Sequence, residues 1–325
     1  MTKYLNPKNY INFLVNKILS VFSLIIKKWE NIYIKKYANQ PLKYQPVFII
    51  GAPRTGSTIL YQTLTNQLDV LYVDNLICKF HKNLFFGFWL SDKLFKQRAH
   101  NCFKSNHGNT ATCGLHAPSE CGSFWYRWLR KDRHFIDYDD FTDKTVQEIR
   151  EEITAVINYF DKPLVFKNLN AGQRFRLLQK CFPDAKFIFA KRDPLFTAQS
   201  ILKAKRKVGI ADDDFWSIMP RNVKELEKLN SYEQIVRQVY FLEKQIVEDS
   251  KLFEKNNFLN VDYKKIGESF EDTLLECQKF ISVNEKEEFE QAEIKLTEKI
   301  SLQENEIKAF KEQIEKLDWE RYSDK

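Results

Sequence analysis

The sequence predicts an α/β fold, a central parallel sheet with helices on both faces, and three observations carry that prediction. Short apolar runs at 47–50, 164–166, 186–190 and 258–261 alternate with longer stretches of helical periodicity, the order of elements that a parallel sheet needs. The first run, Val47-Phe48-Ile49-Ile50, is apolar throughout and stops at Gly51, as a strand buried on both faces does. The chain of 325 residues is long enough for one large core, and with 43% hydrophobic and 29% charged residues its composition is that of an ordinary globular protein.

Helices are expected from about Thr55 to Gln67, up to about Cys181, from near Pro194, where proline suits a first turn, and over Tyr232 to Phe253. Ahead of the sheet, residues 8–36 set Ile11, Leu14, Val15, Ile18, Leu19, Phe22, Ile25 and Ile26 at helical spacing. The net charge of +7 is confined to this end: residues 1–45 hold eight lysines against Glu30 alone, and the remainder is balanced at 43 basic and 43 acidic residues. Two readings are open, a helix lying on an anionic membrane surface and a helix packing its apolar face on the main domain. No apolar run reaches the roughly 18–20 residues of a membrane span, and the start has no small-residue cleavage site of a secretory signal. The expected location is the cytoplasm, peripheral to the inner membrane face if the arm binds lipid, and no nucleic-acid partner is expected.

At the other end, residues 284–325 read as a charged helix. Ile300, Ile307 and Ile314 recur every seven residues with Phe310 and Leu317 between them, which suits packing on the domain or a homodimer contact. The chain is thus divided into a basic helical arm (1–45), a main domain (46–283) and a C-terminal helix (284–325). The six cysteines form no CxxC pair and are expected as reduced thiols. Cys102, His107, Cys113, His116 and Cys121 cluster in sequence, but their spacings match no structural zinc pattern and no metal is expected.

The chemistry centres on Gly51-Ala52-Pro53-Arg54-Thr55-Gly56-Ser57-Thr58, which follows a strand and opens a helix. A loop so placed offers backbone N–H groups and the positive end of a helix dipole to an anion. The spacing is that of the triphosphate-binding pattern GxxxxGK[ST], but Ser57 stands where the lysine should be and the cation is Arg54. Arg54, Thr55, Gly56, Ser57 and Thr58 are therefore candidate phosphate ligands in a poor ATPase site.

The octet resembles the donor loop of sulfotransferases that use 3′-phosphoadenosine-5′-phosphosulfate (PAPS). The resemblance continues in Phe187 to Pro194 followed by Ser200, similar to the family's second signature, in which an Arg and a Ser hold the nucleotide 3′-phosphate; it assigns that role to Arg192 and Ser200. Residues 163–168 end a strand in Lys167 ahead of a Phe-Pro-Asp-Ala-Lys-Phe segment (182–187), as in the family, and Val261-Asp262-Tyr263 is similar to its late strand end, with Lys264 in place of an acid. The resemblance covers roughly 46–270 and looks closest to a bacterial branch. It implies a P-loop NTPase-like three-layer α/β sandwich, PAPS as co-substrate, no metal, Tyr263 at the nucleotide, and a hydroxyl acceptor such as a glycan or lipid-linked sugar.

In-line transfer of a charged group depends on positioning and electrostatics. Arg54 and Lys167 are candidate cations for the moving sulfuryl oxygens and the bridging oxygen. For the base, Glu120 lies in a Pro-x-Glu segment (118–120) close to Phe124, Trp125 and Trp128, and is favoured as a general base. Asp74 and His116 compete with it, and the Phe and Trp residues at 124–128 are open to an acceptor-stacking role or to the core, the commoner place for such aromatics. A small-molecule or nucleotide kinase is the first rival class, disfavoured by Ser57; a non-catalytic nucleotide-binding protein at the membrane surface is the second.

Overall fold

The computed structural model describes residues 25–105, 108–289, 296 and 298–319. Five strands, β1 (Val47–Ile50), β2 (Leu71–Tyr72), β3 (Leu164–Lys167), β4 (Lys186–Lys191) and β5 (Phe258–Asp262), form one parallel sheet in the order β2-β3-β1-β4-β5. The order places β1 at the centre, with later strands added on both sides. Register puts Phe48 opposite Phe166 and Phe187, and Phe187 opposite Phe258. These four rings form a ladder across the sheet, with centroid separations of 5.3, 5.7 and 4.9 Å, and cross-strand aromatic pairs of this kind hold register. On the opposite face Val47, Ile49, Val165 and Ile188 are buried with Leu60 and Leu64. The apolar strands are thus covered on both sides, the condition for an all-parallel sheet.

The helices are α1 (25–38), α2 (Ser57–Gln67), α3 (Asn75–Lys79), α4 (Leu84–Phe95), α5 (Gly122–Trp125), α6 (Asp143–Phe160), α7 (Phe175–Cys181), α8 (Pro194–Lys207), α9 (Val223–Leu226), α10 (Ser231–Asp249), α11 (Tyr263–Glu268), α12 (Phe270–Ile281) and α13 (Glu304–Ile314). The predicted long helix at 232–253 ends earlier, at Asp249, and continues as a 3-10 turn over Ser250–Leu252. Of the N-terminal arm, residues 8–24 lie outside the described residues. Its remainder, α1, is packed on the domain: Glu30 is fully buried, accepting from Asn83 Nδ2 at 3.0 Å and the Phe86 N–H at 3.3 Å. Lys27 bridges Glu30 and Glu152, at 3.1 and 2.9 Å, and Tyr33 stacks on Phe85 at 5.3 Å. Among the described residues no helix is long and apolar enough to cross a membrane.

Two sequence expectations are corrected. The C-terminal helix of 284–325 is confined, among the described residues, to α13. Ahead of it the backbone is committed elsewhere: Asp69 donates to the Asn284 carbonyl, Lys286 N–H to Gln67, and the N–H groups of Ser301 and Leu302 to Gln199 Oε1. Backbone groups paired with tertiary partners do not build an i→i−4 ladder. Ile307 and Phe310 are buried against α8 and α10, whereas Ile300 is 58% exposed, so the seven-residue period does not mark one continuous face. The second correction concerns the thiols. Cys102 and Cys113 are disulfide-paired with Cα atoms 5.7 Å apart, closing a loop of the kind sequence spacing alone does not reveal, while Cys78, Cys121, Cys181 and Cys277 are free.

Candidate active site

The site is assembled from the carboxyl ends of four parallel strands, where open α/β sheets present their ligands. After β1 the chain turns through Gly51, Arg54 and Gly56, all at positive φ (146°, 71° and 81°), into α2. A Cβ at Gly56 would lie 2.5 Å from the Tyr263 ring, and one at Gly51 would run into the Ala190 carbonyl, so glycine is required at both. The loop is held by Thr55 Oγ1, which donates to the Ala52 carbonyl at 2.9 Å. Gly56, the residue that starts α2, provides no side chain to cap it, which leaves the first-turn N–H groups and the dipole for an anion.

Arg192 follows β4 and lies over the ring of Tyr263, 3.9 Å from its centroid, just after β5. Its Nη1 donates to the Arg54 carbonyl at 3.2 Å, and Arg54 Nε donates to Ser200 Oγ at 3.1 Å from α8. Burial, and next the positive charge of Arg192, lower the Arg54 pKa from its usual value. Two crowded guanidinium groups with this depression mark a place where a bound anion would relieve the field. Lys203 and Lys207, one and two turns beyond Ser200, line the same cavity of about 470 Å³ with Arg54, Arg192 and Tyr263.

On the other side of the loop lies a cavity of about 840 Å³ whose walls include Gly56, Ser57, Thr58, Glu120, Lys167 and Arg192. Lys167, at the end of β3, is 3% exposed and its Nζ is paired with Glu120 Oε1. Asn168 Nδ2 donates to the Glu120 carbonyl at 3.2 Å, fixing the segment that carries the carboxylate. Glu120 therefore does not sit among the aromatic residues that follow it. Phe124 and Trp125 turn into the core, and Trp128 donates its indole N–H to Glu148 at 2.6 Å.

Of the competing carboxylate and imidazole, neither lines this cavity. Asp74 caps α3, accepting from the Ile77 N–H at 2.7 Å and from Ser91 Oγ at 2.6 Å. His116 lies 3.6 Å from Asp74 Oδ2, is stacked on Phe95, and its Nε2 is 2.9 Å from the Arg98 carbonyl. The structure thus brings together Arg54, Ser57, Thr58, Glu120, Lys167, Arg192 and Tyr263, and sets Asp74 and His116 apart as a pair of their own. Among the described residues no cluster of His, Cys, Asp or Glu could hold a metal ion, and His107 of the sequence cluster lies outside them.

Sequence reading missed Phe103, Tyr126, His134, Asn170 and Trp216, which also line the cavity. His134 Nδ1 accepts from the Met219 N–H at 2.9 Å, and burial, then the charge of Arg174, depress its pKa to about 4. It is a neutral imidazole with its proton on Nε2 at pH 7. None of these five belongs to a local motif, whereas Lys203 and Lys207 were recoverable from their helical spacing to Ser200.

A glycine-rich strand–loop–helix at the centre of a parallel sheet, with a second guanidinium after the next strand, defines a P-loop-like α/β protein. The chain belongs to the sulfotransferase family: the family model matches residues 46–287. Among solved structures it is similar to the sulfotransferase STF1 of Mycobacterium tuberculosis H37Rv, at 12% identity and a TM-score of 0.51, covering 91% of this chain and 82% of that one. It is also similar to the sulfotransferase STF9 of Mycobacterium avium, at 12% identity and a TM-score of 0.49, covering 90% of this chain and 72% of that one. No curated protein matches it in sequence. The likeness to STF1 is one of fold, in keeping with the five-stranded parallel sheet.

Proposed function

We propose that this sulfotransferase takes its sulfuryl group from PAPS and transfers it to a hydroxyl of a glycan or lipid-linked sugar. The observation that carries the donor assignment is the convergence of Arg54 and Arg192, whose Nη1 donates to the Arg54 carbonyl at 3.2 Å, beside the uncapped start of α2. One phosphate loop is a general device. A loop and a separate basic cavity holding Arg192, Ser200, Lys203 and Lys207 suit a nucleotide phosphorylated at both ends. The residues present fit that donor: the loop N–H groups take the 5′ side and Arg192 with Ser200 the 3′-phosphate.

Lys167 and Glu120 share the larger cavity with the loop. In this reading Glu120 accepts the proton of the acceptor hydroxyl as its oxygen bonds to sulfur. Lys167 stabilises the negative charge that develops on the bridging oxygen as the bond from sulfur to the 5′-phosphate breaks. Arg54 stabilises the sulfuryl oxygens. Tyr126, Trp216, Asn170 and neutral His134 supply the aromatic surface and hydrogen-bonding groups that suit a sugar.

Titration calorimetry with adenosine 3′,5′-bisphosphate and adenosine 5′-phosphate tests the donor. Removing the guanidinium in Arg192→Ala is expected to weaken the bisphosphate by about 100-fold, the effect of truncating one partner of a buried charge pair, and to leave the 5′-phosphate nearly unchanged. Equal affinity of the variant and the parent for the bisphosphate would refute the assignment. Incubation with donor and cell-envelope extracts, followed by mass spectrometry for sulfated products, identifies the acceptor.

A further inference from the structure

The guanidinium assigned to the 3′-phosphate is already engaged. Arg192 Nε donates to Glu298 Oε1 at 3.0 Å, and the two side chains are only 10% and 22% exposed. Glu298 lies beyond residues 46–287, the span that matches the family model, and reaches the site from the C-terminal tail. The tail is tied down there. Gln199 Nε2 donates to the Lys299 carbonyl at 2.9 Å, and Gln199 Oε1 accepts from the N–H groups of Ser301 and Leu302 at 2.7 and 3.2 Å. Lys203 Nζ donates to Ser301 Oγ at 2.9 Å. Beyond this strap α13 is fastened by fully buried Phe310 and by Glu306, 2.8 Å from Arg206.

Lys299 and Ser301 of the strap line the cavity of about 470 Å³, to whose walls Arg54, Arg192, Lys203, Lys207 and Lys299 contribute five cations and, among the described residues, no carboxylate. A single carboxylate brought to the edge of such a cavity, onto the Nε edge that arginine uses for bidentate phosphate binding, occupies the place of the ligand's charge.

We propose that Glu298 is an internal stand-in for the nucleotide 3′-phosphate, which donor and product must displace from Arg192 in order to bind. The inference rests on the assignment of Arg192 to that phosphate. Its consequence is kinetic as well as thermodynamic. The spent nucleotide keeps its 3′-phosphate after transfer, so without a competitor it would hold the site as firmly as the donor does. Return of Glu298 to Arg192 lowers the affinity for both and favours product departure, a step that often limits turnover. A nucleotide with no 3′-phosphate has no claim on Arg192 and leaves Glu298 in place.

The test is calorimetry on the full chain, comparing the parent with Glu298→Gln and Glu298→Ala for adenosine 3′,5′-bisphosphate and adenosine 5′-phosphate. Both variants are expected to bind the bisphosphate about 10-fold more tightly, with the 5′-phosphate unchanged, and to be more strongly inhibited by the bisphosphate during turnover. Unchanged bisphosphate affinity would overturn the proposal. Weaker binding in both variants would also overturn it, because Glu298 would then orient Arg192 for the ligand. A parent and variants that all fail to bind the bisphosphate would overturn the donor reading itself, and a parent that binds it with variants no tighter would overturn the stand-in alone.

Discussion

Lys167 and Glu120, the pair proposed for the reaction, are unevenly buried. The ammonium is 3% exposed while the carboxylate is 38% exposed, so Lys167 depends on its partner for compensation far more than Glu120 does. Glu120→Gln tests the carboxylate with little structural disturbance, since the amide keeps an oxygen for Lys167 to donate to. The rate of transfer at saturating donor is expected to fall by about 10²–10⁴, the usual worth of a positioned proton acceptor, with bisphosphate affinity unchanged in calorimetry. A variant with full activity would return the base to Asp74 or His116. The geometry favours Glu120 because both oxygens of Asp74 already accept hydrogen bonds at 2.6–2.7 Å, and the His116 ring is turned toward Tyr72 and the Arg98 carbonyl.

At the scale of elements, the junction of β1 and α2 carries both the fold and the proposed donor site. Gly56 meets Tyr263 there, and Tyr263 supports Arg192. Gly56→Ala puts a Cβ at 2.5 Å from that ring in a residue held at φ 81°. The substitution is expected to cost about 1–3 kcal/mol in a thermal melt and to weaken the bisphosphate together with it, as Tyr263 moves and Arg192 follows. An unchanged melting temperature with full affinity would show that the loop does not need this turn. The same junction was legible in the sequence for a physical reason: strand, glycines, Arg54 and hydroxyls are consecutive, so local chemistry specifies the structure. Likewise the four predicted apolar runs became β1, β3, β4 and β5 with ends within a residue or so. The two-residue β2 is too short to leave a periodic signal, and the strap at 298–302 is held by Gln199 about a hundred residues away. Such long-range partners, like the packing of His134 and Trp216 into the cavity wall, leave no mark in local sequence. Of the two roles open to the Phe and Trp residues at 124–128, the structure gives Phe124 and Trp125 the core one, although they are neighbours of Glu120 in sequence.

Across the whole molecule, buried ionisable groups make stability depend on pH, and the sign follows from which state holds more protons. Burial depresses His100 to about 3, with Lys286 and His116 adding their charge, and depresses His134 to about 4. Both imidazoles stay neutral in the folded protein well below the ordinary value of about 6.5, so between about pH 6.5 and 4 the unfolded chain carries two protons that the folded one lacks. Glu243 acts in the opposite sense: burial raises its carboxyl to about 7 against the opposing pull of Lys191, so over the same window the folded state keeps a proton that the unfolded chain releases. His81, depressed by burial, adds to the histidine side, while Glu30 and Asp249, raised by burial, subtract from it, each by a smaller shift. The net difference is near one proton in favour of the unfolded state. Stability is then expected to fall by about 1.4 kcal/mol for each pH unit as pH drops from about 6.5 toward 5, visible as a decreasing melting temperature across that range. Glu243→Gln removes the opposing proton and is expected to steepen the slope to nearly twice that value, whatever it does to stability at pH 7. A slope that stays flat in both proteins would mean that the two imidazoles are as free to protonate in the fold as in the unfolded chain, and that the cavity wall holding His134 opens to water on acidification.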